Sequence, residues 1–155
     1  MQEVKLPDRK EHLERTVRKY FEACNNASRD ELYEVLADNV VHYFPPGAAG
    51  PYKGKEAVAS LWIEFVREKG SCWTIDRLIS DGYEAVVEWT HFKTKIGEVI
   101  RGAEWYEFDA AGKIVEIRAY YASPRDATRK ANELQGFPYP EKGFAIKPPD
   151  DLPRG

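Results

Sequence analysis

The stretch Trp89-Thr-His91-Phe-Lys-Thr-Lys-Ile-Gly97-Glu-Val-Ile-Arg-Gly-Ala-Glu104-Trp-Tyr106 decides how the chain folds. Two runs rich in aromatic and β-branched residues flank a turn containing glycine, which is the pattern of a β-hairpin. A histidine and a carboxylate stand among them, where a plain structural hairpin carries apolar groups. A turn centred on Ile96-Gly97 sets Trp89 opposite Glu104 and His91 opposite Gly102. Side chains alternate along a strand, so Val87, Trp89, His91, Gly102, Glu104 and Tyr106 then share one face. Sliding the register by one residue pairs Glu88 with Glu104 and turns His91 to the other side.

Outward from the hairpin, strand-like runs continue in both directions. Cys72–Ile79 precedes it across an Asp81-Gly82 turn, and Ile114–Tyr121 follows across Asp109-Ala-Ala-Gly112. Upstream the period becomes helical. Asp8 and Glu11 form a capping pattern ahead of Leu13, Val17, Tyr20, Phe21 and Cys24, predicting a helix over residues 9–25. Ser28 and Glu31 repeat it before a short second helix carrying Leu32, Val35 and Leu36. A brief strand, Val40–Phe44, is stopped by Pro45-Pro46-Gly47. A third helix follows Gly54, with Val58, Leu61, Trp62, Phe65 and Val66 as its stripe and Gly70 as its end. Ser123-Pro124 with Asp126 reads as the start of one more short helix, running to Leu134. Helices segregated ahead of a meander imply an α+β domain: a cone-shaped, curved antiparallel sheet with helices on its concave side. This domain takes residues 1–135, with 1–7 as a lead-in. Residues 136–155 form a proline-rich tail, where Phe137, Tyr139 and Phe144 favour draping over the body.

Composition narrows the function. A chain of 155 residues suffices for one domain with a real core. The net charge of -3, with signs interspersed, argues against nucleic acid as a partner. Cys24 and Cys72 lack metal-ligand spacing and read as buried apolar groups in a reducing, cytoplasmic setting. No long apolar run suggests a signal peptide or a membrane span. Nine Tyr, seven Phe and four Trp suit a core that also encloses an apolar cavity. No Gly-rich phosphate loop, Ser-His-Asp order or Gly-x-Ser-x-Gly elbow is present. No metal or cofactor is expected from spacing, although His42, His91 and Glu104 could converge as a ligand set in three dimensions.

Four strings carry a family resemblance: Val17-Arg-Lys-Tyr20-Phe-Glu-Ala, Leu36-Ala-Asp38-Asn39-Val-Val, Tyr52-Lys-Gly54-Lys-Glu-Ala57-Val and Phe108-Asp-Ala-Ala-Gly112-Lys-Ile-Val-Glu-Ile-Arg118-Ala. With the element order, they resemble the nuclear transport factor 2-like superfamily. Its enzymes include ketosteroid isomerases, SnoaL-type polyketide cyclases, limonene epoxide hydrolase and scytalone dehydratase. The resemblance implies the cone fold, and one cone hosts many chemistries. It implies that Tyr20 matches the oxyanion-hole tyrosine of the ketosteroid isomerases and Glu104 the place of their protonated aspartic acid. Their catalytic base falls on Phe44, which cannot take a proton. The aspartate of limonene epoxide hydrolase falls near Ala119. Tyr20, Tyr43 or Tyr106 with His91 could imitate the tyrosines and histidines of scytalone dehydratase. The superfamily's cavity-lining positions also favour the first hairpin register.

The candidate site follows. Glu104 and His91 share the acid-base role, Tyr20 stabilises an oxyanion or enol, and His42 is a second acid or base. Trp89, Phe44, Tyr106, Trp62, Tyr43 and Tyr121 line the pocket. A positioned acid-base group contributes roughly 10²–10⁴-fold in rate. The plainer reading makes His91 a satisfied interior histidine, Glu104 a structural partner and Tyr20 a core residue of its helix. Asp76 reads as an edge or salt-bridged carboxylate, and His12 as solvated. Trp105, Glu107, Glu116, Arg118 and Tyr120 fall on the convex face, which in this superfamily commonly forms a homodimer. The expected activity is a cofactor-independent isomerisation, dehydration or cyclisation of a small, largely apolar carbonyl or hydroxyl compound. The rivals are a non-catalytic binder of a small hydrophobic ligand or partner protein, and an interaction module using only the convex face.

Overall fold

An amphipathic stripe opens the chain as α1, Asp8–Asn25, with Asp8 and Glu11 in the first turn where the helix dipole favours acids. The computed structural model describes residues 8–45, 47–124, 126–134 and 137–151. The lead-in 1–7, Pro46 of the proline stop and residues 152–155 of the tail lie outside them. The Ser28 hydroxyl accepts from Glu31 N and caps α2, Arg29–Val35. The chain passes directly into β1, Leu36–Tyr43, which starts earlier than the strand expected at Val40 and leaves Phe44 just beyond its end. Then come β2, Tyr52–Lys53, and α3, Lys55–Lys69, stopped by Gly70 in the left-handed region at φ 64°. The strands β3, Ser71–Ser80, β4, Glu84–Lys93, β5, Glu98–Phe108, and β6, Ile114–Tyr121, complete the meander.

The strands form a curved, unclosed seven-stranded sheet in the order β2-β1-β6-β5-β4-β3. The seventh, β7, Ala131–Asn132, pairs with β5. The meander pairs are antiparallel, but β1 joins β6 in parallel, so the sheet is mixed. Helices α1 and α3 pack on its concave side. Leu13, Val17, Tyr20 and Phe21 from α1 and Val58, Leu61 and Trp62 from α3 are buried there against Val87, Tyr106, Ile114 and Ile117.

The hairpin keeps the expected faces but not the expected partners. Val87 pairs with Glu104, Trp89 with Gly102 and His91 with Ile100, a shift of two residues that preserves side-chain parity. The turn is longer than a two-residue one, spanning Thr94 to Gly97 between the paired residues Lys93 and Glu98. Thr94 Oγ1 donates to Gly70 O at 2.7 Å, and Lys95 N donates to Lys69 O at 3.0 Å. These bonds seat the turn on the end of α3.

No helix forms between Ser123 and Leu134 among the described residues. Asp126 Oδ1 accepts from both the backbone and the hydroxyl of Thr128, and Asn132 Nδ2 donates to Ser123 O. Such local bonds compete with a helix, and Thr128, Arg129 and Lys130 offer no apolar face to bury. Of the described tail residues, Tyr139 and Ala145 lie against Arg101 of β5 and Asp76 of β3. Arg101 Nη1 donates to Ala145 O at 2.8 Å and to Thr90 Oγ1 at 2.9 Å, and its guanidinium lies 4.1 Å from the Tyr139 ring centroid. Asp76, at a bulge in β3, accepts from Thr90 Oγ1 and from Ala145 N. It thus anchors the tail. His12 is half-buried against Gly112 rather than solvated. On the uncovered part of the convex face, Tyr43, Trp105 and Tyr120 are exposed, and Arg118 bridges Glu107 and Glu116.

Gly102 sits where the hairpin is tightest. A Cβ there would lie 2.3 Å from Tyr120 O and 2.8 Å from Trp89 Cζ2. The Gly102→Ala protein is expected to lose about 1–3 kcal/mol in urea unfolding, the usual cost of overpacking. Its tryptophan emission should shift as Trp89 is displaced. Unchanged stability would show that the strand tolerates a side chain there.

Candidate functional site

The elements enclose a cavity of about 240 Å³ on the concave side. Phe44 and Tyr52 close one side of it, Trp62 and Phe65 of α3 lie along it, and Trp73, Trp89 and Tyr121 come from the sheet. Glu104, His91, Lys69 and Lys93 are its ionisable wall residues. Exposed Ala48 and Ala49 and half-buried Lys69 mark where it meets solvent.

Glu104 is buried on the inward face of β5, and its partners come from two elements. Tyr106 O–H donates to Glu104 Oε2 at 3.3 Å, and His42 Nε2 lies 3.3 Å from the same oxygen. The imidazole is fully buried, stacked at 4.2 Å on Phe44 and edge-on to Trp62. Its Nδ1 lies 3.3 Å from Tyr43 O. A carbonyl only accepts, so Nδ1 carries the proton in that contact. In a neutral ring Nε2 is then a lone pair facing a carboxyl oxygen. The contact lacks hydrogen-bond alignment, and Nε2 has no other partner among the described residues.

His91 stands apart from this pair. Glu104 faces Val87, four residues along β4 from His91, which is roughly 13 Å at the usual strand rise. The expected His91–Glu104 couple is replaced by His42–Glu104. His91 Nε2 instead meets Ser71 Oγ at 2.7 Å, and its ring stacks on Trp73 at 4.5 Å. Trp73 is fixed from behind by Asn25, whose amide donates to Trp73 O and accepts from Trp73 N. Burial, and then the charges of Lys93 and Lys69, push His91 well below the ordinary histidine range, so the ring is neutral near pH 7. His42, His91 and Glu104 therefore do not converge as a ligand set, and no group of three His, Cys, Asp or Glu able to hold a metal occurs among the described residues.

The other candidates divide clearly. Trp62, Trp89, Phe44 and Tyr121 line the cavity. The indole N–H of Trp89 is buried with no partner among the described residues. Tyr20 lies behind Trp62 rather than on the wall, its hydroxyl accepting from Trp62 Nε1 at 2.6 Å. It lines, with Cys24 and Glu104, a small void beneath that indole. Burial, with Cys24 and Glu104 nearby, pushes its phenol well above the usual range, so it stays protonated. Tyr106 is likewise protonated and wholly buried, a support for Glu104 and not a wall residue. Tyr43 is 41% exposed and points to the convex face, because it alternates with inward His42. Sequence reasoning missed Trp73, Lys69 and Lys93. Lys93 has the same parity as Trp89 and His91, a signal that was available.

The SnoaL-like domain family matches residues 17–117. A protein of unknown function with a cystatin-like fold from Methylobium petroleophilum PM1 is 39% identical over 96% of this chain and 97% of its own, with a TM-score of 0.74. An NTF2-like protein of unknown function from Mesorhizobium loti is 20% identical, covers 79% of this chain and 100% of its own, and has a TM-score of 0.66. A protein from Kribbella flavida, provisionally a ketosteroid isomerase, is 19% identical over 94% and 97%, with a TM-score of 0.65. The last two show the fold alone. No curated protein matches the sequence. No helix is long and apolar enough to cross a membrane among the described residues.

The depressed His91 has a measurable consequence. Below about pH 6.5 the unfolded chain binds a proton that native His91 refuses, so stability is lost as the pH is lowered, until the native ring protonates. Replacing His91→Gln removes this component. Urea unfolding from about pH 7.5 to about pH 5 should show a shallower pH dependence, by up to about 1.4 kcal/mol per pH unit. Equal slopes for the two proteins would mean that His91 titrates as an open histidine.

Proposed function

The chain belongs to the SnoaL-like domain family, and on that premise we propose that it is a cofactor-independent lyase or isomerase. Its substrate is a small, largely apolar carbonyl or hydroxyl compound. One observation carries the reading: a buried carboxyl, Glu104, on the wall of an aromatic cavity, with His42 and Tyr106 at its back. A core alone gains nothing from burying these groups together, since each must be desolvated.

In this proposal Glu104 takes a proton from the carbon next to the substrate carbonyl. The electron pair moves onto the oxygen, giving an enol or enolate. Returning the proton to a different carbon completes an isomerisation, and giving it to a β-hydroxyl that departs as water completes a dehydration. His42 is the proton reservoir, acting through Glu104 because it is sealed from the cavity by its stack on Phe44. The Trp89 N–H, which has no partner among the described residues, is the proposed donor for the developing oxyanion. Tyr20, engaged by Trp62, supports the wall rather than touching substrate.

The second reading, a non-catalytic ligand-binding protein, draws on Phe44, the phenyl ring in place of the usual base. Deuterium exchange separates them. A panel of small cyclic ketones in D₂O should show enzyme-dependent exchange at the α-carbon, followed by NMR. Glu104→Gln is expected to reduce it roughly 10²–10⁴-fold, and His42→Gln to a lesser extent. Ketones bound equally by wild type and Glu104→Gln, with no exchange in either, would favour the binding reading. We further propose that two copies pair through Trp105, Tyr120 and Tyr43. Trp105→Lys should then sediment as a monomer where the wild type sediments as a dimer, and identical sedimentation would set this interface aside.

A further inference from the structure

The cavity is electrically lopsided. Glu104 stands on one part of its wall, and Lys69 and Lys93 stand on another, beside His91. Both ammonium groups lie over the same Phe65 ring, at 5.4 Å and 5.8 Å from its centroid. Lys93 is buried and held by Glu98 at 3.0 Å. Lys69 is half-buried and has no ion-pair partner among the described residues.

A lysine in the last turn of a helix ordinarily serves the helix dipole. Here other groups already serve the end of α3. Lys95 Nζ donates to Arg67 O at 2.6 Å, and the Gly70 and Lys95 backbone N–H groups take up Val66 O and Lys69 O. Lys69 is thus left facing the cavity. Lys69 puts a positive charge on this end of the wall, and with Lys93 it adds to burial in keeping a proton off His91. A field that repels a proton attracts an anion.

We infer that the cavity takes a small aromatic or alicyclic carboxylic acid, its carboxylate against Lys69 and its ring body among Trp62, Trp73 and Trp89. This rests on the cavity being the ligand site of the proposed function, and it deepens that reading by naming the substrate class. Lys69 contacts the acid, and Lys93, neutralised by Glu98, lines the same stretch of wall. Repulsion from Glu104 sets the orientation, with the acid towards Lys69 and the reacting carbon towards Glu104.

Matched probes test this by calorimetry: 2-naphthoate and its uncharged isostere 2-naphthamide. Naphthoate is expected to bind about tenfold more tightly at low salt, with the advantage shrinking as salt screens it. Lys69→Gln should abolish most of that advantage while leaving amide binding and thermal unfolding unchanged. Lys69 is half-exposed, so the fold should tolerate the change. An amide that binds as well as the acid overturns the inference, as do a preference that survives Lys69→Gln and the failure of both probes to bind. Acid selectivity without Glu104-dependent exchange would leave the inference standing and remove the catalytic reading. Exchange without acid selectivity would do the reverse.

Discussion

Where β4 hands over to β5, Lys93 and Glu98 form a buried ion pair of 3.0 Å, and the residues between them bond to the end of α3. Desolvating two charges costs several kcal/mol per ion, so the pair is a poor source of net stability. Its effect is on register. With Trp89 opposite Glu104, Lys93 would face Ile100 and lose its cross-strand carboxylate. A buried ammonium without a partner is penalised far more than a shifted apolar contact. The observed pairing is the one that satisfies this lysine. It also puts Gly102 under Trp89, where any side chain would collide with the indole and the neighbouring strand.

This explains how much of the fold could be read from the residues. Helix stripes at Leu13 to Cys24 and Val58 to Val66 are spaced by burial, which acts on every turn and leaves a periodic trace. Strand parity is equally robust, because one face of β4 and β5 must be apolar over most of its length. The number of turn residues leaves no such trace. It is set by the fit of Thr94 and Lys95 to Gly70 and Lys69, residues distant in sequence. The absent helix after Ser123 failed for a related reason. Its capping signal was genuine, but Asn132 and Asp126 satisfied the backbone locally, and no apolar stripe followed.

The candidate site was legible to the same degree. Inward parity placed Glu104, His91, Trp89 and His42 on the concave side, and each is there. Which histidine would meet Glu104 depended on β1 lying beside β6, a parallel pairing that no hairpin signal announces. Once Ile117 pairs with His42 and Ala119 with Glu104, the two inward side chains stand on β1 and β5, on either side of β6. Ala119 matters here because its methyl leaves room between them. Tyr43 turns outward for the same reason that His42 turns inward, the alternation of side chains along β1.

The phenyl ring at Phe44 then acquires a role beyond replacing a base. Stacked at 4.2 Å on the imidazole, it seals His42 from the cavity while Glu104 remains on the wall. On the proposed reading any proton the imidazole gives or takes must pass through that one carboxyl. A base placed at position 44 would meet substrate directly; a dry histidine behind a carboxyl makes the proton available without exposing a second charge. On the same reading the Lys69 end presents the cation of the cavity and the Glu104 end its acid-base group. A ligand with an acid group at one end and an activated carbon at the other matches that polarity, and the reverse orientation would set its carboxylate against Glu104.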